Sequence, residues 1–80
     1  MRILLVEDDE LLGSGLSDAL EFARYAHEWV RDGKLALAAA QQNDFDLIIL
    51  DLGLPGMDGL EVLGKLRAAG NQTSVLILSA

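Results

Sequence analysis

The sequence predicts an α/β fold built on a parallel sheet, and three observations carry that prediction. Short apolar runs at residues 3–6 and 47–50 stand between turn-forming residues, the pattern of strands buried on both faces. Helical segments separate the strand-like runs in the order βαβαβαβ, and right-handed crossovers then make the sheet parallel. Both buried runs end on acids: Glu7, Asp8 and Asp9 follow the first, and Asp51 follows the second. Ligands of such sheets bind outside the carboxyl ends of the strands. At least three carboxylates are therefore expected in one small region.

Each element has its own signal. Ile3, Leu4, Leu5 and Val6 make the first strand. From about residue 10 to 23, Leu12, Leu16, Ala19, Leu20 and Ala23 recur at helical spacing. Residues 26–30 are rich in β-formers but interrupted by His27 and Glu28, which suits an edge strand. Asp32-Gly33 signals a turn, and the alanine-rich stretch 34–42 is helical by propensity. Asn43-Asp44 breaks that helix before Leu47, Ile48, Ile49 and Leu50. The loop at 52–57 leads into a helix from about 58 to 69, with Leu60, Leu63 and Leu66 facing inward and Val62 beside them. Gly70-Asn71 ends that helix, and residues 75–78 form the last strand. There is no internal repeat, linker or low-complexity segment.

Composition narrows the function. Eighty residues make one small domain, and a chain of this size buries only about 60–65% of its unfolded surface. A hydrophobic content of 51% marks a globular chain rather than a disordered one. No apolar run approaches the ~20 residues of a membrane span, and no signal-peptide pattern precedes the first acids. The absence of cysteine removes disulfides and thiolate metal sites, and fits a cytoplasmic setting. A net charge of −7 argues against nucleic-acid contact by this chain, because phosphate backbones repel it. Its basic residues, Arg2, Arg24, Arg31, Lys34, Lys65 and Arg67, are dispersed and form no patch.

The clustered acids call for chemistry. Crowded carboxylates raise one another's pKa values and cost stability unless a cation compensates. Oxygen donors of this kind suit a hard divalent ion and leave one carboxylate free to act as a nucleophile. Acids after a strand also cap the next helix, and Asp9 or Glu10 stands where such a cap belongs, before Leu11-Leu12. Other residues have plainer roles. His27 has no ligand partner at metal spacing, Trp29 and Tyr25 read as packing, and Met57 fills a loop. Pro55-Gly56 and Asp58-Gly59 read as turn formers, and Glu61 and Lys65 as an i,i+4 pair on a solvated helix face with Arg67.

Taken together, Glu7-Asp8-Asp9, Asp51, the loop Leu54-Pro55-Gly56-Met57-Asp58-Gly59 and Ser79-Ala80 resemble a response-regulator receiver domain of two-component signalling. The resemblance runs from Met1 to Ala80. It is nearest to receivers of winged-helix transcriptional regulators of the polymyxin-resistance (PmrA-like) kind. It implies a flavodoxin-like parallel sheet in the order 2-1-3-4 with three helices. It also implies that Asp51 is the phosphoacceptor, attacking a phosphoryl group carried by a sensor histidine kinase to form an aspartyl phosphate. Mg²⁺ would be held by Asp8, Asp51 and the backbone carbonyl of Gly53, with Glu7 acting through a water. Ser79 would contact the phosphoryl group and act as the switch, and Asp9 would cap the helix. Such a chain is no enzyme in the turnover sense, and it reaches DNA only through an output domain outside this sequence.

Departures from the family pattern also carry expectations. A receiver resembling this one continues with a fourth helix, a fifth strand and a fifth helix, whereas this sequence stops after the fourth strand, so residues 1–80 correspond to the N-terminal part of a receiver. The family's phosphoryl-pairing lysine and its usual dimerisation face lie beyond that point. The uncovered apolar surface, containing some of Leu12, Leu16, Leu20 and Ala23, leads to the expectation of a homo-oligomer, by two-fold pairing or exchange of elements. Arg24 stands where a glycine is common in the family, and Gly64 interrupts a helix. The competing reading is a phosphorylation-independent interaction module in which the acids remain as fold and charge features. An aspartyl phosphohydrolase fits poorly, because the second acid it needs two residues after the nucleophile is here Gly53.

Overall fold

The computed structural model describes residues 1–78. The chain runs β1 (Arg2–Val6), α1 (Glu10–Phe22), β2 (Ala26–Val30), α2 (Gly33–Gln42), β3 (Leu47–Asp51), α3 (Gly59–Ala68) and β4 (Ser74–Leu78). The four strands are parallel in the order β2-β1-β3-β4, the flavodoxin-like arrangement expected from the resemblance. β2 is an outer strand, as its mixed polarity predicted. No helix among the described residues is long and apolar enough to cross a membrane.

β1 and β3 lie at the centre, so their alternate side chains enter two different layers. Leu4, Val6, Ile48 and Leu50 face α2 and α3, where Ala36, Ala39, Ala40, Val62 and Leu66 complete a buried cluster with Phe45 and Leu54. Ile3, Leu5 and Ile49 face the other way, toward Leu16 and Leu20 of α1 and toward Trp29. All three helices start on aspartate caps: Asp9, Asp32 and Asp58 each accept hydrogen bonds from backbone N–H groups of the first turn. Two helices end in the same motif. At the end of α3, Gly70 and Asn71 donate to the carbonyls of Arg67 and Leu66, and at the end of α1, Arg24 and Tyr25 donate to those of Glu21 and Leu20. Gly70 and Arg24 both take positive φ, 84° and 65°. Position 24, where the resemblance leads to the expectation of glycine, thus adopts the backbone conformation that glycine takes most readily.

Some expectations need correction. Leu60 does not face inward but is 63% exposed, while Val62 and Leu66 are buried and Leu63 is half-buried. Leu60 precedes Val62 by two residues, roughly 200° around a helix, so the two cannot share a face. Glu61 and Lys65 form no ion pair, and the ion pair among the described residues is Arg31 with Glu10. Tyr25 is 42% exposed and packs less than expected. The stripe on α1 is open in part, as expected: Leu12 and Ala23 are exposed, and Leu16 and Leu20 are half-buried.

Candidate functional site

Parallel pairing of β1 with β3 puts Val6 opposite Leu50, so the residues that follow, Glu7 and Asp51, emerge side by side. Asp8 joins them, and carboxylate oxygens of Glu7, Asp8 and Asp51 lie within 4.8 Å of one another. The three acids differ in exposure. Glu7 is 2% exposed, Asp51 is half-buried and Asp8 is open to solvent. They line an open cleft of about 640 Å³ together with Asp9, Gly53, Leu12 and Leu78.

Glu7 carries the electrostatic cost of this crowding. Its pKa is pushed up from 4.5 to about 7, first by burial, then by a hydrogen bond to the Asp51 carboxyl and by the charges of Asp51 and Asp8. The backbone N–H of Asp9, donating to Glu7 Oε2 at 3.3 Å, opposes the rise but does not cancel it. Near neutral pH, the cluster without a cation therefore partly retains a proton. That donor set, all carboxylate oxygen with one member held back from ionising, fits a hard divalent cation.

Asp9 is spent elsewhere. Its Oδ1 accepts from the N–H groups of Leu11 and Leu12 at 2.9 and 3.1 Å, the capping role the sequence suggested. Gly53 sits two residues beyond Asp51 on the lip of the cleft. Ser79, the expected switch, lies outside the described residues. His27 is away from the acids and bonds to Ser17 Oγ at 2.7 Å.

Sequence reasoning missed two supports of the site. Gly59 is more than a turn former. Its N–H donates to the Leu52 carbonyl at 3.0 Å, and a Cβ at this position would overlap the Asp51 carbonyl oxygen, so only glycine lets α3 begin against the end of β3. The second support is Trp29, whose indole Nε1–H donates to the Glu7 carbonyl at 2.9 Å. An Asp-Gly pair after a candidate nucleophile gave a local clue to the first. Nothing local points to the second, because Trp29 and Glu7 are 22 residues apart.

The profile of the response regulator receiver domain matches residues 3–80. The chain belongs to that family. It is 48% identical over 80 residues to the transcriptional regulatory protein QseB of Haemophilus influenzae, covering all of this chain and 36% of that protein. It is 49% identical over 80 residues to the response regulator protein PmrA of Pseudomonas aeruginosa, again covering all of this chain and 36% of the relative. The chain thus spans about a third of the length of these relatives. Among solved structures, a Francisella response regulator receiver domain superposes with a TM-score of 0.95 at 32% identity, over 99% of this chain and 65% of the other. The Thermotoga maritima response regulator TrrA, solved in complex with Mg²⁺ and a beryllium fluoride, gives a TM-score of 0.91 at 33% identity, over 99% of this chain and 69% of that one. The fold and the family expected from the residues are therefore shown: a receiver domain of two-component response regulators, similar to those of transcriptional regulators.

Proposed function

We propose that this chain is the phosphoacceptor module of a two-component pathway, taking a phosphoryl group on Asp51 from a sensor histidine kinase with Mg²⁺ and so controlling a transcriptional output domain. One observation carries the proposal: Glu7, Asp8 and Asp51 converge within 4.8 Å at the ends of two adjacent buried strands. A carboxylate oxygen of Asp51 attacks phosphorus. The P–N bond to the donor histidine breaks, its electron pair stays on the imidazole, and an aspartyl phosphate results. Such transfer is mostly positioning and charge neutralisation, and bound Mg²⁺ would supply the positive charge.

The chain's own residues supply the rest. Asp8, Asp51 and the Gly53 carbonyl would hold the ion, with Glu7 acting through a coordinated water. Glu7 would release its proton as the ion enters, because a nearby cation favours the carboxylate. Gly59 keeps the start of α3 tight against Asp51, which leaves the carboxylate at the mouth of the cleft. The Ser79 hydroxyl would donate to a phosphoryl oxygen. The pathway so described operates in the cytoplasm. Relatives named as transcriptional regulators, and a similar structure solved in complex with Mg²⁺ and a beryllium fluoride, support this reading.

The test is covalent. In the full-length context, with acetyl phosphate and Mg²⁺, intact mass should show a phosphoryl adduct on the wild-type protein and none on Asp51→Asn. Equal adducts on both proteins would remove Asp51 from the role.

A further inference from the structure

The peptide joining Glu7 to Asp8 is held by β2, an outer strand that contributes no acid to the site. The Glu7 N–H donates to the Val30 carbonyl at 3.1 Å, which is ordinary continuation of the β1–β2 ladder. The Glu7 carbonyl is different, because it accepts from a side chain, the Trp29 indole N–H at 2.9 Å. The indole is itself constrained. It packs against α1 at Gly13, which is buried and where a Cβ would overlap the ring. The Arg31 guanidinium lies over the ring at 4.0 Å from its centroid and is paired with Glu10 in the first turn of α1. Packing against α1 alone would require only an apolar ring. The N–H reaches a backbone carbonyl between two of the three clustered acids.

We infer that Trp29 is a positioning residue for the cation site: its indole N–H fixes the Glu7–Asp8 peptide, and the close fit of its ring to Gly13 fixes the indole. The inference rests on the reading of Glu7, Asp8 and Asp51 as a divalent-cation site. The orientation of that peptide decides where both acidic side chains begin. Losing the bond therefore costs cation affinity even where the fold survives. Groups that orient ligands without touching the metal typically matter at the level of 10–100-fold in affinity, and one acting through the backbone should lie at or below the lower end, about 5-fold.

Calorimetric Mg²⁺ titration of the full chain tests this without any phosphoryl donor. Trp29→Phe keeps a ring beside Gly13 and removes the N–H. Its Kd for Mg²⁺ should rise about 5-fold, with the metal-free circular dichroism spectrum unchanged. Gly13→Ala displaces the indole from the opposite side and should weaken binding similarly, and the double variant should bind no worse than the weaker single one. Trp29 is the chain's one tryptophan, so wild-type emission should also shift as Mg²⁺ saturates the site. A wild-type Kd in Trp29→Phe, or wild-type emission indifferent to saturating Mg²⁺, overturns the inference alone. Should Trp29→Phe not fold, an unchanged Kd in Gly13→Ala overturns it equally. A wild-type chain that takes up no Mg²⁺ overturns the proposed function, and this inference with it.

Discussion

The two faces of the sheet are unequally covered. Among the described residues, eleven buried ones make up the cluster under α2 and α3, whereas three make up the cluster under α1, so β1 and β3 are packed far more completely on one side. On the thinner side Leu12 of α1 is 49% exposed and Leu76 of β4 is 52% exposed. The difference bears on the site, because its parts are anchored differently. Asp51 follows Leu50, which is fully buried on the closed face, and Gly59 presses α3 against its backbone. The Glu7–Asp8 segment leads into α1 and is held by directed bonds, namely the Asp9 cap, the Val30 carbonyl and the Trp29 indole. One wall of the cleft is held by packing and the other by hydrogen bonds.

The most direct way to break this comparison is to remove equal volume from each face. Leu50→Ala should cost about 3–4 kcal/mol, since the surrounding cluster cannot collapse into the cavity. Leu16→Ala, on a half-buried residue of α1, should cost about 1 kcal/mol. Urea denaturation of both variants decides it. Equal losses would mean that α1 is packed as tightly as α2 and α3.

Glu7 sharpens the comparison next, because it lies buried where the two walls meet. Its folded pKa, about 7, stands above the ordinary value of 4.5, so the folded chain binds more protons than the unfolded one between these values. The resulting stability is fully present below about pH 4.5 and is lost as pH rises through 7. Without Mg²⁺, the free energy of unfolding should therefore rise as pH is lowered from 8 toward 5. Saturating Mg²⁺, or Glu7→Gln, should flatten the dependence. A free energy of unfolding that falls steadily over that range in metal-free buffer would contradict the buried, protonated Glu7.

How far the sequence disclosed this is uneven for physical reasons. Short apolar runs bounded by turn formers, such as residues 3–6, read as strands buried on both faces, so the central strands and the acids at their ends were legible. Strand order was not, because four parallel strands of similar composition pair in several ways, and the order 2-1-3-4 came from the resemblance. Asp9 was legible as a cap because capping is local. Glu7 looked like its neighbours, since nothing in three consecutive acids says which one is buried. Leu60 misled because an apolar residue in an amphipathic helix reads as inward until the stripe is anchored, here by Val62 and Leu66. The Trp29–Glu7 bond and the fit of Trp29 to Gly13 depend on tertiary approach, which no local pattern encodes.

A smaller effect separates the helices of the two faces at their carboxyl ends. α3, on the closed face, ends through Gly70 at φ 84°, while α1 ends through Arg24 at φ 65° with the same pair of backbone bonds. A side chain in that conformation costs roughly 1–2 kcal/mol, partly offset by the greater freedom of glycine in the unfolded chain. Arg24→Gly should therefore stabilise the chain by about 0.5–1 kcal/mol, and Gly70→Arg should destabilise it by a similar amount. Thermal unfolding of the pair tests both. Destabilisation by Arg24→Gly would show that the Arg24 side chain makes contacts worth more than the strain.

The smallest expected change in stability comes with a change in assembly. Leu76 lies on β4 opposite Ile49, and so on the face that α1 alone covers. β4 is also an outer strand, so its free edge offers backbone donors and acceptors to another chain. Because Leu76 is half in water already, Leu76→Lys removes little burial and should alter unfolding free energy by no more than about 0.5 kcal/mol. Leu76 and Leu12 of α1 are both exposed large apolar side chains, of the kind that monomers seldom leave open in numbers. The 80-residue chain should therefore self-associate at micromolar concentration, and Leu76→Lys should shift it toward monomer, as read by sedimentation equilibrium. A control on the closed face, Leu35→Lys on an exposed position of α2, should leave assembly unchanged. A stable wild-type monomer would mean that the sparse face satisfies itself, and that the inequality between the faces has no consequence for association.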